Sequence, residues 1–349
     1  MKPMIATKPW LVLWLGVLCV DAVAQVAADE APLPPAADVS AALIESPPAA
    51  GDGTTGQPLA WLDRIAAASQ RLNYVGTFSY QTGRRFETSR IAHRYADGVE
   101  SERLEVLDGS PREVVRQGGE IRCLLPAQRT VIVSRVGARG SFPGRLLQER
   151  AGLSGSYNVR LGEVGRIAGH EAQKVVLEPH DELRFGHVLW AETQSGLLLK
   201  SQVVDAGGAV VEQFAFSDVR IGGDIDSNLL AAQASPQADW RVIEMGSDDD
   251  GQREYRWQSR DPLPGFALVS KVNHRGGGTV QMVFSDGLAA ISVFIEPAEA
   301  GAEPRGGFPA GGAVNAFERI AGGQRITVLG EVPARAVQQA AETIDMGRK

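Results

Sequence analysis

Turn pairs recur through the middle of this sequence at intervals too short for a chain of helices. Asp97-Gly98, Asp108-Gly109, Gly118-Gly119, Ser195-Gly196 and Gly207-Gly208 separate short runs rich in Val, Ile, Leu, Phe and Tyr. That is the pattern of strands joined by tight turns. The run Leu72–Tyr80 sets the theme: Tyr74, Phe78 and Tyr80 fall on one side of an extended chain, and Val75, Thr77 and Ser79 on the other. A period of two makes it an amphipathic strand at the head of a large sheet.

Two strand series follow from the same reading. The first takes residues 90–95, 100–107, 112–116, 120–125 and 130–136, and the second 157–164, 171–177, 186–192, 197–205 and 210–219. Each is the length of one strand in an antiparallel meander. Residues 137–153, with Gly137, Gly140, Pro143 and Gly144 around Phe142, Leu146 and Leu147, break the rhythm as a flap or short helix. Ahead of the first strand, Trp61, Leu62, Ile65 and Ala68 recur at helical spacing, so an amphipathic helix should lie against the sheet. A sheet of ten strands and one helix buries its inner face by curving into a half-barrel. The concave face is then either a filled core or a ligand site.

The rest of the chain divides by composition. Residues 1–28 carry Lys2 and Lys8, an apolar run from Trp10 to Val20, and small residues before Ala24 and Ala28. This is the order of a secretory signal peptide, cleaved after Ala24 or Ala28, and the apolar run is too short to span a bilayer. Residues 29–59 are rich in Pro and Ala without periodicity and read as a disordered leader. The half-barrel domain occupies 60–222, a linker 223–256, and a smaller α+β domain 257–349. In the last, strands are expected at 266–273, 279–285, 289–296 and 324–331, a Gly/Pro-rich loop at 298–313, and a helix at 333–344.

The residue inventory is quiet about catalysis. With 35 basic against 42 acidic residues and no basic cluster, the chain lacks the concentrated positive surface that nucleic acid needs. Cleavage leaves Cys123 as the one cysteine, so an internal disulfide is not expected of the mature chain, and its run Ile121–Leu125 reads as a buried strand. His93, His170, His180, His187 and His274 lack metal-ligand spacing, so neither a metal nor another cofactor is expected. Gly152-Leu153-Ser154-Gly155 misses the spacing of a nucleophile elbow, and the Gly-rich runs at 276–278 and 306–307 do not join a strand to a helix as phosphate loops do. Glu100, Glu102, Arg103 and Glu105 read as a solvated strand face.

Several ordered strings nevertheless resemble one family. They are Leu72–Phe78, Arg90–His93, Glu102–Leu104, Leu107–Val114, Gly186–Trp190, Gly196–Ser201 and Glu212–Phe216, followed by Leu263–Phe266, Phe284–Glu296 and Gly330–Pro333. Together they resemble the RseB/MucB family of periplasmic sigma-E regulators from about Trp61 to the C-terminus. The resemblance implies a mainly β (α+β) chain: an unclosed antiparallel β-barrel of LolA/LolB-like type with helical cover, plus a smaller α+β domain. It implies a non-enzymatic role, binding the periplasmic domain of a membrane anti-sigma factor (RseA/MucA-like) and shielding it from site-1 proteolysis. Lipopolysaccharide or lipoprotein acyl chains would displace the shield, and a homo-oligomer is compatible with it. On that reading Tyr74, Phe78, Tyr80, Leu104 and Val106 are the candidate lipid-facing wall. The competing class is a periplasmic lipid or lipoprotein carrier without a regulatory partner.

Overall fold

The computed structural model describes residues 56–83, 85–134, 153–234, 236–245, 257–259, 263–274 and 278–346. Helix α1 (Gly56–Arg71) leads into β1 (Tyr74–Thr82). The meander continues through β2 (Arg85–Ala96), β3 (Val99–Val106), β4 (Glu113–Gln117), β5 (Glu120–Leu125) and β6 (Thr130–Ser134). The one-turn helix α2 (Leu153–Ser156) opens the second series, β7 (Tyr157–Ile167), β8 (His170–Pro179), β9 (Gly186–Glu192), β10 (Leu198–Val204) and β11 (Val210–Ile221). The flap expected at 137–153 lies outside the described residues except for Leu153.

The two series form one sheet because β11 returns to pair with β1 from Tyr74↔Ile221 to Thr82↔Glu212. The segment read as a linker contributes α3 (Ser227–Leu230), capped by the Asp226 carboxylate on the Asn228 N–H, and β12 (Arg241–Met245). β12 pairs parallel with β6, and the other neighbours in the sheet are antiparallel. The order is β12-β6-β5-β4-β3-β2-β1-β11-β10-β9-β8-β7, twelve strands whose ends do not meet. The unclosed antiparallel architecture expected from sequence is therefore present.

Irregularities in register bend the sheet. Between Thr77 and Phe78 the ladder to β11 slips by one, so Ser217 is the extra residue, and a second slip lies between Leu161 and Val164 on β7. Bulges of this kind sharpen local twist. Gly76 sits beside the first: a Cβ there would come within 2.6 Å of the Asp218 carbonyl and 2.7 Å of the Phe216 ring. Only a residue without a side chain lets that ring lie on β1. The inner face is then covered by α1, whose Leu62 and Ile65 pack with Val175, Leu177, Leu189, Ala191 and Leu198.

A second sheet follows the order β14-β15-β16-β19-β18-β17. Its strands are β14 (Ala267–His274), β15 (Thr279–Ser285), β16 (Ala290–Pro297), β17 (Gly306–Gly311), β18 (Val314–Ala321) and β19 (Gln324–Gly330). The Gly/Pro-rich stretch expected as a loop supplies β17, an edge strand paired with β18. Helix α4 (Ala334–Thr343) lays Ala336, Val337, Ala340 and Ala341 on Ile291, Val293, Ile326 and Val328. Short strands β13 (Trp257–Ser259) and β20 (Ile344–Met346) pair beside it. Residues 58–349 form one compact unit, and among the described residues no helix is long and apolar enough to cross a membrane. Cys123 is fully buried on β5.

Candidate functional site: an aromatic wall and two buried charge clusters

Register places all five candidate wall residues on one face. Tyr74 lies opposite His93 and Ile221, Phe78 opposite Ser89 and Phe216, and Tyr80 opposite Glu87 and Phe214. On the next strand Leu104 faces Ile91 and Val106 faces Ser89. The face is packed with aromatic rings. Phe78 meets Phe214 and Phe216 edge-on with centroids at 5.0 and 5.8 Å, and those two meet each other at 5.1 Å. Edge-to-face contacts of this kind add to the burial of the rings themselves. Tyr74, Phe78 and Val106 are buried, whereas Tyr80 and Leu104 are half-buried against the same cluster. The inner two rings are therefore core, and the wall is least covered at Tyr80 and Leu104.

At the Tyr74 end the wall turns polar. The Tyr74 and His93 rings stack at 4.9 Å with 13° between planes. His93 Nδ1 lies 2.7 Å from the Leu72 carbonyl, so it is the donor, and Nε2 lies 3.2 Å from Glu100 Oε1. Two acceptors do not face each other without a proton between them, so the His93–Glu100 contact holds one. Burial alone lowers the His93 pKa, but the Glu100 hydrogen bond, the Glu102 charge and the Leu72 carbonyl outweigh it and the net direction is upward. Arg116 approaches the other Glu100 oxygen at 3.5 Å. Metal-ligand atoms of His93, Glu100 and Glu102 lie within 4.8 Å of one another. Arg116 and the proton held between His93 and Glu100 offset the charge of the two carboxylates. Glu102 and Arg103, expected on a solvated face, are both buried: Arg103 lies under α3 and the segment after it, and Glu102 lies on the wall face beside His93.

The second cluster joins the two sheets. Arg184, in the β8–β9 connection, sends Nε to Asp286 Oδ2 at 2.6 Å, and the side chains are 1% and 0% exposed. Its other nitrogens bond Asp181 and the Pro264 carbonyl, while its guanidinium stands 4.6 Å over the Phe266 ring. Asp286 also accepts from the Tyr157 hydroxyl at 3.4 Å and from the N–H groups of Leu288 and Ala289 at 2.9 and 2.8 Å. Gly265 closes the site: a Cβ would lie 2.5 Å from Arg184 Nη2 and 2.6 Å from Ser156 Oγ. A second junction lies at the other end of β1, where the half-buried Glu212 carboxylate bonds Tyr80 and accepts the Ala313 N–H at 3.5 Å. Burial raises the Glu212 pKa, and burial together with Glu212 pushes the Tyr80 hydroxyl far above its ordinary range. Sequence reasoning missed both junctions, since their partners lie on the order of a hundred residues apart.

A curved open sheet with a packed aromatic face, tied by a buried ion pair to a second sheet, defines a binding architecture. Comparison with known proteins places it. The model of the MucB/RseB N-terminal domain matches residues 57–234 and that of the MucB/RseB C-terminal domain matches 251–345. The chain belongs to the MucB/RseB family. It is 32% identical over 292 residues to the sigma factor AlgU regulatory protein MucB of Pseudomonas aeruginosa, covering 81% of this chain and 89% of that protein. With the sigma-E factor regulatory protein RseB of Escherichia coli K12 it shares 24% over 295 residues, 82% of this chain and 90% of the relative. Among solved structures it is similar to MucB in complex with MucA(peri), with a TM-score of 0.66, 28% identity, and coverage of 84% of this chain and 100% of that one. MucB alone gives a TM-score of 0.60 at the same identity, covering 84% of this chain and 98% of MucB.

Proposed function

We propose that this chain is a periplasmic negative regulator of an envelope-stress sigma factor. It binds the periplasmic domain of a transmembrane anti-sigma factor of the RseA/MucA type and shields it from site-1 proteolysis. A lipid stress signal, lipopolysaccharide or a lipoprotein acyl chain, releases it. The observation that carries this reading is the similarity, over 84% of the chain, to a MucB structure solved with MucA(peri). A shield needs surface and no nucleophile, in keeping with a residue inventory that offers no convergent catalytic set.

In this reading a larger domain over 60–222 senses lipid and a smaller one over 257–349 completes the partner surface. The acyl chain enters at Tyr80, Leu104 and Val106, with Tyr74 and Phe78 as the wall behind them. Lipid weakens partner binding only by its differential affinity for two conformations, and the junctions at Asp286 and Glu212 are where those conformations would differ. The direct test is protection. The anti-sigma periplasmic segment, incubated with the site-1 protease, should be cut more slowly when this chain is added, and lipopolysaccharide should restore cutting. Unchanged cutting with a stoichiometric excess of the chain would refute the proposal and leave the lipid carrier as the better account.

A further inference from the structure

On β10, β9 and β8 the residues Ser201, Leu189 and Val175 lie side by side, and Leu189 and Val175 pack in the cluster that α1 covers. One position along each strand, Lys200, Trp190 and Lys174 form the next cross-strand row. Alternation turns that row to the opposite face of the sheet. Its three side chains are half-buried. Lys200 Nζ stands 4.7 Å and Lys174 Nζ 5.6 Å from the centroid of the Trp190 ring. Gly162 on β7 makes room for the Lys174 stem, since a Cβ there would lie 2.9 Å from Lys174 Cδ and 3.1 Å from Cγ.

Two ammonium groups are thus held against one indole with no counter-charge. Among the described residues no carboxylate oxygen lies within 4.0 Å of either ammonium, and the indole N–H has no acceptor. The carboxylates on neighbouring positions are committed elsewhere: Glu178 to Arg160 at 2.8 Å, and Glu192 to the Gln194 and Ser195 N–H groups at 3.0 and 2.6 Å. Glu163, exposed at the β7 bulge, makes no ion pair with Lys174. Burial and the Lys174 charge lower the Lys200 pKa, with no carboxylate acting against them. An ammonium and an indole N–H donate and accept nothing, so the row offers donors only. It carries two positive charges on a chain whose formal charge is -7.

We propose that Lys174, Trp190 and Lys200 bind a phosphate monoester, its oxygens on the two ammonium groups and its stem against the indole. Lysine holds phosphate as a point charge on a flexible stem, whereas planar pairing with a carboxylate is the habit of arginine, which the row lacks. Two unmatched positive charges suit a dianion, and the bound anion removes the repulsion between the lysines. The row and the aromatic wall lie on opposite faces of one sheet, so this site stands apart from the lipid entrance proposed above and does not depend on it. The same phosphate can arrive on a small soluble ester or on a lipid headgroup, and the assay separates these sources.

The experiment is a calorimetric titration of the mature chain at low ionic strength, where such contacts are least screened. The probes are glycerol 3-phosphate, glycerol, monomeric dihexanoyl phosphatidic acid, and the acidic peptide acetyl-Glu-Ala-Glu-amide. Glycerol 3-phosphate should bind one-to-one and at least about ten-fold more tightly than glycerol or the peptide, the scale of one charge-assisted contact. Tighter binding of the phosphatidic acid identifies a lipid headgroup as the source, and equal or weaker binding a soluble ester. Lys174→Gln and Lys200→Gln should each weaken both phosphates about five-fold or more without lowering the melting temperature, since neither lysine has an ion pair to lose, and Lys200→Arg should restore part of the loss. No detectable binding of either phosphate, tighter binding of the acidic peptide, or phosphate binding that both lysine variants leave unchanged would each overturn the proposal.

Discussion

Replacing Asp286 with alanine removes four interactions at once, and their geometry sets the cost. The Arg184 Nε contact at 2.6 Å, the Tyr157 hydroxyl at 3.4 Å and the Leu288 and Ala289 N–H groups at 2.9 and 2.8 Å all lose their acceptor. Arg184 stays 1% exposed in the native structure with only Asp181 and the Pro264 carbonyl left. Breaking one side of a buried pair costs about 3–5 kcal/mol because the remaining charge is uncompensated. The two backbone N–H groups would lose roughly 1 kcal/mol each if water did not replace the acceptor, so about 3 kcal/mol is the floor. Urea unfolding at pH 7, followed by tryptophan fluorescence and far-ultraviolet circular dichroism, should report that loss as a lower midpoint at constant slope. Arg184→Met should cost less, because Asp286 keeps its two backbone donors. The double variant should be more stable than the sum of the single losses by at least about 1 kcal/mol. A loss below about 1 kcal/mol for Asp286→Ala, or strict additivity in the double variant, would refute the view that this pair ties the two sheets together.

The two buried histidines should slope the stability curve in opposite directions. Burial lowers the His187 pKa to about 4, so its contribution is present above its unfolded value near 6.5 and is lost as pH falls toward 4, by up to roughly 3 kcal/mol. His93 is shifted upward, so its contribution is present below about 6.5 and is lost as pH rises through its folded value. His187→Gln should flatten the acid limb and His93→Gln the neutral one in urea titrations from pH 4.5 to 8; unchanged slopes would contradict the assignments. Phe78→Ala, emptying a site lined by Phe214 and Phe216, should cost about 3–5 kcal/mol by thermal or urea unfolding. Leu104→Ala, on the half-buried rim, should cost clearly less and change lipid response first. Gly76→Ala should destabilise by about 1–3 kcal/mol in the same assay, since its Cβ would meet backbone at 2.6 Å.

Local periodicity made much of this fold legible. The alternation in β1 put Tyr74, Phe78 and Tyr80 on one face, and Leu62, Ile65 and Ala68 marked the buried stripe of α1. The final helix followed from equally local signals. Elements that depend on distant partners were not legible. Gly306, Gly307, Pro309 and Gly311 read as a loop, yet form β17 because β18 supplies the ladder and an edge strand tolerates them. β12 lies in a stretch of weak pattern and exists by pairing with β6. Glu102 and Arg103 alternate with apolar neighbours as a wet face would, yet the segment after α3, held by Glu113, buries Arg103, and Glu102 is buried on the other face beside His93. The Arg184–Asp286 pair has no sequence signature, since a buried ion pair is made of two residue types common on any surface.

The measurement closest to the central claim is a calorimetric titration of the mature chain with the periplasmic segment of its cognate anti-sigma factor, with and without lipopolysaccharide. The account predicts saturable one-to-one binding per chain that lipopolysaccharide weakens by at least ten-fold. Absence of binding in either condition, or binding that lipid leaves unchanged, would contradict it.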